Sequence, residues 1–240
     1  MNKNFIGGYK MASILDRYGI KEVADVTLYE IGEGGVMGAP VLYLDTLKVS
    51  TIEQTADSTS ARGGKGNAEL IIWDFGKEIT LNLEDALFSA KSMAIMFGSV
   101  DKKGQATLGT SETIYKTVRH GALPTTVTSA TYYKEDGTPG TSESYAYATY
   151  AVTTSNVSVI TISAETFPGT YYITGDTFAR SEDTGKDEFF QFIIPKAKML
   201  SDVTLTLEAE GDPSTFSMQM KVLRPKDGVM MKLVKYNIAE

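Results

Sequence analysis

The sequence predicts a mainly β protein, an antiparallel β-sandwich or barrel with one flanking α-helix at about 84–97. Three observations carry this. Apolar and polar residues alternate cleanly in several short runs, such as Ile79, Leu81 and Leu83 against Glu78, Thr80 and Asn82. Glycine, proline and Asp-Gly pairs punctuate those runs. One stretch changes period: Leu83, Ala86, Leu87, Ala90, Met93, Ala94 and Phe97 fall on a single helical stripe.

From the N-terminus, Ala12 to Tyr18 suits a short helix and Asp25 to Ile31 a strand. Ile31 to Pro40 carries four glycines and reads as a loop, and Val41 to Val49 is the next strand. Ser50 to Asn67 is polar, has no apolar period, and ends in Ala-Arg-Gly-Gly-Lys-Gly-Asn. It reads as a long loop, of the length usually kept for function. Glu69 to Phe75 and Lys77 to Leu83 read as a hairpin turning at Gly76. For the helix, Asn82 stands at the N-cap, Glu84 and Asp85 in the first turn, and Gly98 at the C-terminal stop.

From Ser99 to Glu188 the composition turns to Thr, Ser, Tyr, Ala and Gly. Strands are expected around Thr126 to Tyr133, Tyr145 to Val152, Val157 to Ser163 and Tyr171 to Arg180, with turns at Asp136–Gly140 and Thr184–Gly185. Strong alternation then returns. Phe189 to Ile194 is a strand stopped by Pro195, and Val203, Leu205 and Leu207 alternate up to a turn at Gly211–Pro213. Phe216, Met218, Met220 and Val222 make another strand, and Asp227-Gly228 predicts a hairpin that pairs Val229 to Tyr236 back. The organisation expected is a β core of residues 1–98 and 186–240, with 99–185 a β-rich elaboration or small inserted domain.

Composition narrows the function. The chain has 240 residues, no cysteine and a single histidine, His120. Thiol catalysis, disulfides, cysteine-ligated zinc and multi-histidine metal sites are thereby excluded. A Ser-His-Asp arrangement would have to use His120, which sits in a Val-Arg-His-Gly run and reads as a loop residue. The net charge of −7 argues against gripping nucleic acid, because phosphate contacts need a basic face. No run reaches the about 18 apolar residues of a membrane span, and the first residues do not form a secretory signal.

The remaining motifs favour plain readings. Gly63-Gly-Lys-Gly66 lacks the P-loop spacing and precedes a strand, so it does not predict a phosphate site. Asp183, Asp187 and Glu188 lie near Gly185 but off the EF-hand pattern, which leaves a solvated turn. Trp73 reads as sheet core or a subunit contact. The 13 tyrosines could stack on sugars, yet they are spread through strands, where tyrosine is favoured anyway. No HExxH, GxSxG or GxGxxG at a strand–helix junction is present. No enzyme, cofactor or metal is expected.

One resemblance adds to this. The run from Gly64 to Leu87 (GKGNAELIIWDFGKEITLNLEDAL) resembles structural proteins of tailed bacteriophages. So do Phe167–Tyr171, Gly185–Asp187, Phe190–Lys198 and Glu208–Pro213. Within that group, the strand-strand-helix order and the closing strands are similar to the major tail tube protein family. The resemblance covers about half the chain and leaves 99–164 unmatched. It implies two packed antiparallel sheets with a helix, rings of six copies, and stacking of rings into a tube that delivers DNA without binding it specifically. It makes Thr59, Arg62, Gly63, Gly64, Lys65, Gly66 and Asn67 part of a loop that contacts the next ring. The partners it implies are copies of the chain and other tail proteins, such as tape measure, terminator and sheath, with no insertion into a membrane. The location implied is the virion tail, assembled in host cytoplasm. The acidic balance suits a channel that repels phosphate. Alternatives are a head decoration, collar or terminator protein, or a carbohydrate-binding β-sandwich using the Tyr145 to Tyr150 cluster.

Overall fold

The computed structural model describes residues 17–20, 22–203 and 215–236. The strands, in chain order, are β1 (Tyr18–Ile20), β2 (Asp25–Ile31), β3 (Met37–Leu44), β4 (Leu47–Gly63), β5 (Ala68–Asp85), β6 (Gly109–Arg119) and β7 (Thr131–Tyr133). They continue as β8 (Tyr147–Val159), β9 (Thr170–Ser181), β10 (Asp187–Met199), β11 (Phe216–Val222) and β12 (Lys232–Tyr236). The helix α1 spans Ala90–Met96.

Nine strands make one antiparallel sheet in the order β3-β2-β9-β10-β11-β5-β4, with β1 added to β9 and β12 to β10. The far edge of β10 is shared: Phe189 to Ile193 pair with β12, and Ala197 to Met199 with β11. The sheet does not close into a barrel. Its two halves enclose one core, in which Val26, Leu28, Tyr171 and Ile173 meet Leu81, Leu83, Met218 and Met220. This is the mainly β sandwich that the alternation predicts. The segment β6-β8-β7 forms a separate three-stranded sheet. Of the stretch 99–185 expected as an elaboration, β9 lies in the centre of the main sheet and contributes Tyr171 and Ile173 to its core.

Several expectations are corrected, each for a physical reason. Pro195 does not stop β10. One extra residue between Ile194 and Ala197 forms a bulge, where a proline needs no ladder partner. The bulge shifts the side-chain phase, so Phe192 and Ile194 point inward before it and Ala197 and Met199 after it. The helix expected at 84–97 begins later. Leu83 and Asp85 belong to β5, which pairs with β4 on one side and β11 on the other. Two ladders satisfy that backbone better than a single helical turn. The cap is Ser89, not Asn82: its hydroxyl accepts the Ser92 N–H at 3.0 Å while the Ser92 hydroxyl accepts the Ser89 N–H at 2.9 Å. Ala94, Ile95 and Met96 bury the helix, whereas Leu87 and Phe88 lie before it and are exposed. Gly98 ends it at φ 78°.

Other boundaries move in the same way. Asp45 and Thr46 split the strand expected over Val41 to Val49. The loop expected over Ile31 to Pro40 contains the start of β3, in which Pro40 is tolerated beside a register shift on an edge strand. Tyr145 to Val152 and Val157 to Ser163 merge into β8, with Asn156 taking a left-handed φ of 59° inside it. Lys232 to Tyr236 pairs with β10 instead of returning to β11. Tyr18 lies in a strand, and the rest of the helix expected from Ala12 falls outside the described residues but for Arg17. The alternation at Leu205 and Leu207 and the turn at Gly211–Pro213 also fall outside them.

Candidate functional site

The segment Ser50 to Asn67, expected as a loop, is most of β4 and its turn. It pairs with β5 from Leu47↔Asp85 to Gly63↔Ala68, so the two strands form one long hairpin. The missing apolar period is explained by what the segment covers. From Glu53 onward both faces of β4 are largely exposed, and a strand open to water on both sides needs no alternation. Gly76 is likewise no hairpin turn but a bulge inside β5. Its φ of 63° is left-handed, and a Cβ there would stand 2.9 Å from Asp57 Oδ2. Asp57 pairs with Phe75 and Thr55 with Glu78, which places the extra residue on β5.

The bulge divides the hairpin. On the body side Ile79, Leu81 and Leu83 are buried. On the far side Leu70 is 65% exposed and Trp73 52%, and Ile71, Ile72 and Phe75 are exposed too. Trp73 stands opposite Thr59 and Ile71 opposite Ala61, so they share a face with Phe75, while Ile72 opposite Ser60 lies on the other. The hairpin therefore presents apolar side chains on both faces, a concentration that usually marks an interaction surface.

The structure brings all seven sequence-predicted residues onto this distal hairpin. Thr59 and Arg62 lie on β4, and Gly63 closes the ladder. Gly64, Lys65, Gly66 and Asn67 form the turn, in which the Asn67 N–H donates to the Gly64 carbonyl at 3.2 Å. Left-handed φ values of 80° at Gly64, 88° at Gly66 and 52° at Asn67 explain why glycine and asparagine stand there. Arg62 reaches Glu69 across the strands at 3.6 Å. The sequence places a strand at Glu69 to Phe75 but not its exposure: by composition the run Leu-Ile-Ile-Trp-Asp-Phe suits a core as well as a contact, and its position beyond the bulge leaves it open.

The residues weighed for chemistry are placed elsewhere. The His120 ring packs on Tyr145 at 4.6 Å, and Tyr145 on Tyr132 at 4.9 Å, at one end of the small sheet. Asp187 accepts two hydrogen bonds from Arg180, at 2.7 and 2.9 Å, which hold its carboxyl below the usual range. Glu188 pairs with Lys235 at 2.6 Å. Among the described residues no group of three or more His, Asp or Glu side chains is arranged to hold a metal, and no helix is long and apolar enough to cross a membrane.

No curated protein matches the chain. A family model does, over residues 18–235, a span that takes in the hairpin, both sheets and the helix. The chain belongs to the YomU/Tube protein family, in keeping with its resemblance to phage tail tube proteins.

Proposed function

We propose that the chain assembles with copies of itself into stacked rings, hexameric as in the tail tube proteins it resembles, and that these form the channel through which phage DNA is delivered. The distal β4–β5 hairpin is the contact between copies. The observation that carries this is the row of exposed Leu70, Ile71, Ile72, Trp73 and Phe75, which among the described residues stay open on both faces of the ribbon. A contact between identical subunits buries such residues without a second gene product. The net charge of −7 supports passage of DNA without capture. Tape measure, terminator and sheath proteins are the further partners of such a tube, which assembles in the host cytoplasm.

The test is negative-stain microscopy with sedimentation velocity on the full chain and on a variant in which 58–74 is replaced by a two-residue Asn-Gly turn. Asp57 and Phe75, which would flank the new turn, are directly paired, so the shortened hairpin keeps its register. The full chain is expected to form rings or tubes. The variant is expected to keep its β circular dichroism and stay monomeric. Rings from the shortened chain would remove the hairpin from the contact, and a full chain that remains monomeric at high concentration would remove the assembly. A head decoration, collar or terminator role is separated by copy number per virion in mass spectrometry. The carbohydrate-binding alternative names the Tyr145 to Tyr150 cluster, in which Tyr150 is buried and Tyr145 and Tyr147 are half-buried, and a glycan array without a hit ends it.

A further inference from the structure

A second surface is built for contact, and it is electrostatic. A cleft of about 710 Å³ lies between the end of β2, the loop after α1 and the outer face of β10. Lys102, Lys103, Lys196 and Lys198 line it. Among the described residues none of these four pairs with a carboxylate. In a chain of net charge −7 such a concentration of unpaired lysines stands out.

The acids in the same cleft offset them only in part. Asp101 Oδ1 accepts the backbone N–H groups of Lys103 at 2.8 Å and Gln105 at 3.0 Å, so it is committed to shaping the loop. Glu30 accepts the Gln105 side chain at 2.9 Å. Glu33 and Asp101 are both exposed and keep their charge, so the four lysines of the lining exceed its three acids by one. The loop that raises Lys102 and Lys103 is also held in place: the buried Tyr171 hydroxyl donates to the Gly104 carbonyl at 3.0 Å. Opposite it, the bulge at Pro195 turns Ala197 and Met199 inward and so directs Lys196 and Lys198 outward together. Lys198 also donates to the Pro168 carbonyl. Like charges fixed side by side in a concave site focus a positive potential and favour an anionic partner.

The same chain carries the complement. On the outer face of β4, β5 and β11 a cleft of about 440 Å³ is lined by Glu53, Glu84 and Asp202. None of these three pairs with a cation among the described residues. We propose that the lysine cleft of one copy receives the Glu53–Glu84–Asp202 face of the next, a directional head-to-tail contact distinct from the apolar hairpin. It rests on the self-assembly proposed above. Two different patches meeting heterologously propagate a ring or a stack, whereas one patch meeting itself would stop at a dimer. A second copy is favoured over a nucleic acid because the basic surface is a single cleft in an acidic chain, not a stripe that tracks phosphates.

The experiment compares full-length wild type, a Lys102→Glu/Lys103→Glu/Lys196→Glu variant, a Glu53→Lys/Glu84→Lys variant, and the combination of all five changes. Circular dichroism checks folding, and all five positions lie at least partly open to solvent. Each charge-reversed set is expected to raise the concentration for half-assembly about tenfold or more, and the combination to recover most of that loss. Wild-type assembly is expected to weaken from low salt to about 0.5 M salt, where the Debye length is only a few Å. Unchanged assembly of the lysine variant, or no recovery in the combination, overturns the contact while leaving the assembly reading intact. A wild type that stays monomeric overturns both. Fluorescence anisotropy with a duplex oligonucleotide supplies the remaining outcome. If the lysine changes abolish duplex binding but not assembly, the cleft is a phosphate site and the head-to-tail contact falls.

Discussion

The two halves of β5 share one strand and one partner but differ in what surrounds them. From Ile79 to Asp85 alternate residues face the core, flanked by β4 and β11. From Ala68 to Phe75 the strand pairs, among the described residues, with β4 alone, and its large apolar residues face outward. Leu and Ile supply three residues of each half, so composition alone does not mark one as core and the other as open. Their different surroundings mean that the same residue type contributes to stability in one half and to association in the other. An isolated two-stranded ribbon is marginal in water, so the distal half is expected to order fully when it is covered.

Mutations on either side of Gly76 test that division. The largest effect on stability is expected from Leu81→Ala, which opens a cavity beside Met220 and lowers the free energy of unfolding by about 2–5 kcal/mol in urea titrations. A loss under about 1 kcal/mol would mean that the body half is not the core. Tyr171→Phe comes next, because it leaves the buried Gly104 carbonyl without its donor, at a cost of about 1–3 kcal/mol.

Tyr171 also carries a pH signature. Burial pushes its phenol up to about 12 from the ordinary 10.0. The folded state keeps the proton where the unfolded chain releases it, so stability is fully present below about pH 10 and is lost as pH rises towards 12. Denaturation against pH is expected to fall less steeply across that window for Tyr171→Phe than for the wild type. Identical slopes would show that the hydroxyl reaches solvent.

Gly76→Ala sits on the boundary itself. A left-handed φ and the contact with Asp57 Oδ2 make it cost about 1–2 kcal/mol, with the loss expressed as exchange of the hairpin amides rather than global unfolding. The smallest effect on stability is expected from Trp73→Ala, about 0.5 kcal/mol or less, because the side chain stands half open to solvent on the ribbon and outside the core. Its effect on assembly is expected to be the reverse, raising the concentration for half-assembly about tenfold or more. If Trp73→Ala destabilises the monomer as much as Leu81→Ala, the two halves are one core.

Much of the fold was legible because period and burial agree. β2 lies at Asp25–Ile31 and β11 at Phe216–Val222, where the alternation places them, since one face of each is buried and the other open. Legibility failed where that link breaks. Both faces of distal β4 are exposed, so Thr55 to Ser60 carries no period and reads as loop although it is paired at every position but Ala56, opposite the bulge. The stripe from Leu83 to Phe97 mixes a strand end, an exposed Leu87-Phe88 corner and a seven-residue helix, and a helical period fits their sum by coincidence. The turn residues Gly64, Gly66 and Asn67 were readable as backbone requirements, whereas the apolar surface beside them was not, because exposure is a property of what fails to pack on a residue.

The bulge at Pro195 has a further consequence for how this chain can change. A strand with two side-chain phases tolerates exchange of one residue for another within either phase. What it cannot lose, at its present length, is the bulge itself. Flattening the bulge without removing a residue would carry Lys196 and Lys198 to the side where Ala197 and Met199 now sit. That change would unseat the core and dismantle the lysine cleft together, whereas removing the one extra residue would leave Phe192, Ile194, Ala197 and Met199 inward in a single regular phase. Deletions in the Gly64–Asn67 turn would merely shorten a ribbon. Side-chain phase is thus what the centre of the main sheet constrains, while length is negotiable at the hairpin tip, and variants of the chain that reach partners at different distances would be made by adding or removing paired residues there.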